Sequence, residues 1–371
     1  MAYTHFQVHR CETSLNQLIT EFAPRPTLEY PFEMRWSPEP GKPFEVADGV
    51  YWLRMPLPIQ LDHINLWILR DGDGWTLVDT GYDSPVCKEV WEQVFEEFLT
   101  PDSVKQIIVT HFHPDHIGLA AWLLDKCNCP LLISAGEFNL YHEIHTRDQK
   151  NTKRISTEFL QELGFDMQDV AQFMPFFLSE EKPKNSRLQK DRCVFIKDGD
   201  DIEIDGSNWR VVSGNGHSPE HSCLYSKDLQ VMISGDQAIP RISSNVSVYP
   251  ANRHEDPLGD WLTSCEKLKS NIPNKTLILP SHQEPFRGLT ERMQQLIDDH
   301  LAQLNRLRLA VNAPISPIQA RSILFDRELN AIETILATGE TLAHLNYLVH
   351  QGEVVMNIDS NGQARYSAVD Q

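Results

Sequence analysis

Short runs of branched and aromatic residues, spaced by polar turns, alternate along this chain with stretches of helical periodicity. Five prolines between Pro24 and Pro40 predict that residues 1–40 form a leader that wraps the surface without long elements. From Phe44 the period shortens, predicting strands over 50–54, 64–69 and 75–79, with turns at Asp48-Gly49 and across 71–74. Residues 84–99 put Val86, Val90, Trp91, Val94, Phe95 and Phe98 on or near one helical face. Further strands are expected at 107–109, 193–196, 201–204, 209–213, 221–225, 231–234 and 277–282, with helices after Gly118 and over 257–270. Strands alternating with helices make this an α/β chain whose two sheets are covered by helices.

Several of these strands end in side chains that bind metals. Residues 107–109 run into Thr110-His111-Phe112-His113-Pro114-Asp115-His116, where three imidazoles and a carboxylate fall within six positions. His111 and His113 can aim at one point from extended chain, and Asp115 and His116 follow as the chain turns into a helix. Imidazole with carboxylate suits zinc, iron or manganese. Downstream, a glycine-flanked turn after 209–213 presents His217 or His221, which spacing alone does not separate. The strand over 231–234 leads to Asp236, and the strand over 277–282 ends in His282. A carboxylate such as Asp236 can bridge two cations.

With Asp79-Thr80-Gly81 added, these motifs resemble the metallo-β-lactamase fold hydrolase superfamily, near its glyoxalase II-like branch, over residues 40–287. The resemblance implies an αββα sandwich and two divalent metal ions, zinc by default, with iron or manganese fitting the same ligands. It assigns His111, His113 and His217 to the first metal, Asp115, His116 and His282 to the second, and Asp236 to both. It favours His217 over His221 and makes Asp79 a buried hydrogen-bonding support, not a ligand. His113 stands where di-iron oxidase relatives carry glutamate, which argues against oxygen reduction. The expected chemistry is hydrolysis of a small ester or thioester by a metal-bridging hydroxide, with Asp115 orienting the nucleophile. The alternatives are a phosphodiesterase or ribonuclease, a mononuclear iron sulfur dioxygenase, and a non-catalytic scaffold.

Residues 136–190 interrupt the core pattern with three expected helices, and they read as a lid. Tyr141, His142, His145, Arg147, Lys150, Lys153 and Arg154 there are either a solvated face or contacts to an anionic substrate. Phe165, Phe173, Met174, Phe176 and Phe177 read as core. The loop after Asp236 offers Arg241, Asn245 and Tyr249 as substrate contacts. Residues 288–371 form a separate, mostly helical region: a long helix over 290–311, short helices at 318–325, 329–337 and 341–351, and a hairpin turned at Asn361-Gly362. This is a winged-helix-like arrangement, resembling the C-terminal extension of some superfamily members. Its third short helix carries no Lys or Arg, so packing or homodimer formation is the expected role, not DNA binding.

Charge and composition narrow the partners. A net charge of −19 argues against nucleic acid and anionic membrane and leaves a small-molecule substrate. Seven scattered cysteines do not form a disulfide framework, and residues 1–10 carry no apolar signal-peptide core. No apolar run reaches membrane-spanning length, so the chain is expected in the cytoplasm.

Overall fold

The computed structural model describes residues 27–58, 61–178 and 188–369. Most of the leader and the polar stretch 179–186 lie outside the described residues. Seven strands form one sheet in sequence order: β1 (Phe44–Ala47), β2 (Val50–Pro56), β3 (His63–Asp71), β4 (Gly74–Val78), β5 (Val104–Ile108), β6 (Leu131–Ser134) and β7 (Cys193–Ile196). The first four pair antiparallel and the last four parallel. The second sheet has the order β12-β11-β10-β9-β8, built from β8 (Asp201–Ile204), β9 (Ser207–Gly214), β10 (His221–Ser226), β11 (Val231–Gly235) and β12 (Leu277–Pro280). Only β11 and β12 pair parallel in it.

The strands are apolar on both faces because both faces are covered. Trp52, Trp67, Val78 and Ile108 of the first sheet meet Trp209, Leu224, Ile233 and Leu279 of the second in the central layer. The alternate residues Leu53, Leu66, Ile68 and Leu77 point the other way, under α1 (Pro85–Glu97) and α3 (Ala120–Cys127). A single turn, α2 (Pro114–Ile117), precedes α3. On the far side, Met232 and Ile278 pack under α7 (Pro257–Asn271) and α8 (Leu289–Ala310). The result is the αββα sandwich expected from the pattern.

The three helices of the expected lid are α4 (Ala135–Thr146), α5 (Gln149–Leu163) and α6 (Met167–Phe177). The first packs on the first sheet through Phe138 and Tyr141. The other two bury Phe159, Leu160, Phe173 and Met174 in the same core as the C-terminal helices, where their apolar faces find their largest partner.

In the C-terminal region α9 (Pro317–Leu324) is followed by a single helix, α10 (Ala331–His350), where two were expected. Gly339 lies in its middle. It is there for clearance, not for a break: a Cβ would stand 3.0 Å from Ser247 Oγ and 3.2 Å from the Val248 carbonyl. Val248 N–H donates to the Gly339 carbonyl and Ser247 Oγ to the Leu336 carbonyl, which ties the loop after Asp236 to α10. The hairpin β13 (Val354–Ile358) and β14 (Ala364–Ala368) completes the region. Helix α10 is buried along most of its length against neighbouring helices. Among the described residues no helix is long and apolar enough to cross a membrane.

Candidate metal centre

Five strand ends deliver the site. After β4, Asp79 turns into the left-handed region at φ +62°, which a short carboxylate side chain tolerates. Its carboxylate accepts from Thr110 N–H (2.8 Å) and Thr110 Oγ1 (2.8 Å), and faces His116 Nδ1 at 2.8 Å. The residue before His111 and the residue following Asp115 are thereby locked to one buried anion. Gly118 follows, where a Cβ would strike the Pro114 and Gly81 carbonyls, so the turn into α3 closes only around glycine.

The ligand-type atoms fall into two groups. His111, His113, His217 and Asp236 form one, and Asp115, His116 and His282 the other, each with its atoms within 4.8 Å of one another. Asp236 faces both. Its Oδ2 lies 3.3 Å from His217 Nε2 and 4.0 Å from His111 Nε2. Its Oδ1 lies 3.5 Å from His116 Nε2 and 3.6 Å from His282 Nε2. Asp115 Oδ2 approaches His282 Nε2 at 3.4 Å.

The rings are oriented from behind. His217 Nδ1 donates to the Asn245 carbonyl at 2.8 Å and His282 Nδ1 to the His63 carbonyl at 3.0 Å. Each Nε2 is therefore a lone pair turned inward. His116 Nε2, His217 Nε2 and Asp236 Oδ1 are buried with no hydrogen-bond partner among the described residues. Orphaned acceptors that converge in this way are costly unless cations sit between them, so the residues fit divalent metal ions. Electrostatics divides along the same line. Burial, and then the neighbouring imidazoles, hold His111 well below its ordinary value, and burial with His217 beside it brings His113 down to about 3. Around His116 burial is outweighed by the carboxylates of Asp79, Asp115 and Asp236, which push it well above its ordinary value.

His221 takes a different place. Its Nε2 accepts from Asp236 N–H at 3.1 Å, and its ring stacks on His111 with centroids 4.8 Å apart. Gly235, at φ +51°, leaves room for that ring, where a Cβ would come within 2.4 Å. His221 thus supports the bridging carboxylate from behind and stands in neither ligand group.

The profile of the "Metallo-beta-lactamase superfamily" matches residues 59–282, and that of a "Metallo-beta-lactamase-like, C-terminal domain" matches residues 304–369. The chain belongs to the metallo-beta-lactamase superfamily. A crystal structure of a beta-lactamase domain protein from Burkholderia ambifaria is 37% identical, with 96% of this chain and 99% of that one covered, at a TM-score of 0.81. "Probable metallo-hydrolase YqjP" of Bacillus subtilis is 25% identical over 81% of this chain and 92% of its own. "Acyl-coenzyme A thioesterase MBLAC2" of Homo sapiens is 21% identical over 70% of this chain and 86% of its own. Fold, relatives and the His/Asp cluster together make this chain a metallo-hydrolase of the superfamily.

A cavity of about 420 Å³ opens beside the ligand-type residues His113, Asp115, His217, Asp236 and His282. Arg241, Asn245 and Tyr249 all line it. The Arg241 guanidinium is held by Glu284 at 2.5 Å, and burial pushes the Tyr249 hydroxyl up to about 12. No described residue of 136–178 lines the cavity; its outer wall comes from α8, α10 and the segment between α9 and α10. The described helices of the expected lid thus stand elsewhere, and the C-terminal region lines that side of the cavity.

Sequence reasoning passed over Glu137. It is fully buried at the start of α4, with Oε2 accepting from Phe112 N–H (2.9 Å) and Oε1 from Ser218 Oγ (2.6 Å) and Glu220 N–H (2.8 Å). One carboxylate thus staples the His111–His113 loop to the His217 loop. Nothing local marks it, since an acidic residue in a first helical turn is ordinary. The polar stripe Arg292, Gln295, Asp299, Gln303 on α8 was legible by spacing, but such a stripe reads as solvated unless its surroundings are known.

Proposed function

We propose that this chain is a binuclear metal-dependent hydrolase of a small ester or thioester, with thioester the favoured class. The observation that carries the reading is Asp236, whose two oxygens face separate ligand groups at 3.3 Å and 3.5–3.6 Å. His111, His113 and His217, and Asp115, His116 and His282, would hold divalent ions, which would supply Lewis acidity and lower the pKa of water towards neutrality. The chain's own residues do the rest. Asp115 stands at the cavity face of the second group, where its carboxylate can accept a hydrogen bond from an attacking water and orient it. Asn245 and His63 carbonyls keep His217 and His282 in one tautomer. Leu61, Ile239, Ile242, Leu296, Phe325 and Leu336 give the cavity an apolar lining suited to an acyl chain.

The thioester class is favoured by the human relative named as an acyl-coenzyme A thioesterase. A polyanionic nucleic acid fits poorly, because the guanidinium groups that reach the cavity are already held. Arg241 is on Glu284, Arg292 on backbone carbonyls, and Arg327 on Glu333. The test is hydrolysis of a simple acyl thioester by zinc-loaded protein, with Asp236→Ala alongside. Turnover in the wild type only, with about two metals per chain falling to one or none in the variant, is the expected result. A fully loaded wild type that leaves both thioesters and esters intact would sink this reading.

A further inference from the structure

The cavity has a second polar end, on α8 and α10, that the hydrolytic chemistry does not use. Helix α8 turns Gln295, Asp299, His300 and Gln303 to it, and α10 turns Glu340 to it. Burying a polar stripe where two helices could meet through apolar side chains is costly, and packing alone does not call for it.

The unmatched groups at this end are of one kind. His344 Nδ1 lies 2.8 Å from the Glu340 carbonyl, which can only accept, so His344 carries its proton on Nδ1 and a lone pair on Nε2. His300 Nδ1, 3.1 Å from that lone pair, must donate to it. Burial, and the neighbouring His344, keep His300 neutral, so its Nε2 is an acceptor. His300 is 3% exposed and lines the cavity, and its Nε2 has no hydrogen-bond partner among the described residues. Glu340 meets only the Asn245 amide, at 3.4 Å, and no hydrogen bond or ion pair is found for Asp299 among the described residues. Arg292, the nearest cation on α8, is committed to the Ile239 and Ile242 carbonyls at 2.7 Å each.

Two carboxylates and the His300 imidazole face a cavity whose guanidinium groups are already engaged. Resting on the hydrolase reading above, we propose that this end of the cavity receives a protonated amine, so that the ester or thioester hydrolysed carries an ammonium group. Asn245 links this end to the candidate metal centre, since its carbonyl orients His217 while its amide reaches Glu340. Burial also raises Asp299 to about 6 and Glu340 to about 7, a cost that a bound cation would relieve.

The test is calorimetric binding to the zinc-loaded full chain at pH 8, with hexylammonium and hexanol as probes and Asp299→Asn and Glu340→Gln as variants. Hexylammonium is expected to bind at least about tenfold tighter than hexanol, with most of that preference lost in each variant. Equal binding of the two probes overturns the proposal, and that comparison needs only the wild type. A preference unchanged in both variants overturns it too, because the amine is then held elsewhere, for instance by the metals. Thioester turnover is scored separately. Hydrolysis without ammonium preference sinks this inference alone, and ammonium preference without hydrolysis sinks the hydrolase reading alone.

Discussion

Replacing Glu340 with glutamine should stabilise the protein, and only at high pH. The Glu340 carboxyl is shielded from bulk solvent on the cavity wall, and burial raises it from an ordinary 4.5 to about 7 against a weak opposing hydrogen bond from Asn245. A carboxyl raised in the folded state binds protons there that the unfolded chain has released. Stability therefore falls as pH rises from about 4.5 to about 7, and the full loss persists above that. Each pKa unit is worth about 1.4 kcal/mol, so the loss by pH 8 is on the order of 3 kcal/mol. That figure is an upper bound, because water in the cavity tempers the burial. Glutamine keeps an acceptor for the Asn245 amide and never ionises. The assay is urea unfolding of both proteins at constant saturating zinc, at several values between pH 5 and pH 8. Taking the difference between them cancels every other titrating group. The gap should be small at pH 5 and open towards about 2–3 kcal/mol at pH 8. A gap that stays constant, or that closes as pH rises, would refute the claim that Glu340 is held unpaired on the cavity wall. A stability gain at the expense of ligand preference is the trade expected of a functional group.

Asp79→Asn removes the charge facing His116 while keeping the side chain's volume, and should weaken zinc binding about 10–100-fold in chelator competition. Unchanged affinity would show that Asp79 serves only the backbone at Thr110. Glu137→Ala strips the partner from Phe112 N–H, Ser218 Oγ and Glu220 N–H together, and should cost at least about 2–3 kcal/mol in urea unfolding. A loss below about 1 kcal/mol would mean that the two ligand loops hold their places without it. Gly339→Val drives a branched side chain into Ser247 and the Val248 carbonyl, and should destabilise by about 1–3 kcal/mol. Turnover should fall further than stability does, because the displaced loop carries the carbonyl that orients His217. Unaltered turnover would break the proposed link from α10 to the metal ligand.

What the sequence determined by itself was local. His111, His113, Asp115 and His116 sit within six positions, so one turn places all four whatever surrounds them. The alternation of apolar strands with helices was legible for the same reason, since period depends only on neighbouring residues. Tertiary structure decided everything that depends on which face meets what. His217 and His221 are both histidines near one strand end, and only the pairing of β9, β10 and β11 turns one towards Asp236 Oδ2 and sets the other behind its backbone. Gly339 reads as a break until the loop that packs against it is in place. Nothing local marks Asp299, His300 and Glu340, yet they line one cavity with His113, Asp115, His217, Asp236 and His282. A side chain's chemistry is local, but whether it meets water, metal or substrate depends on the surface folded against it.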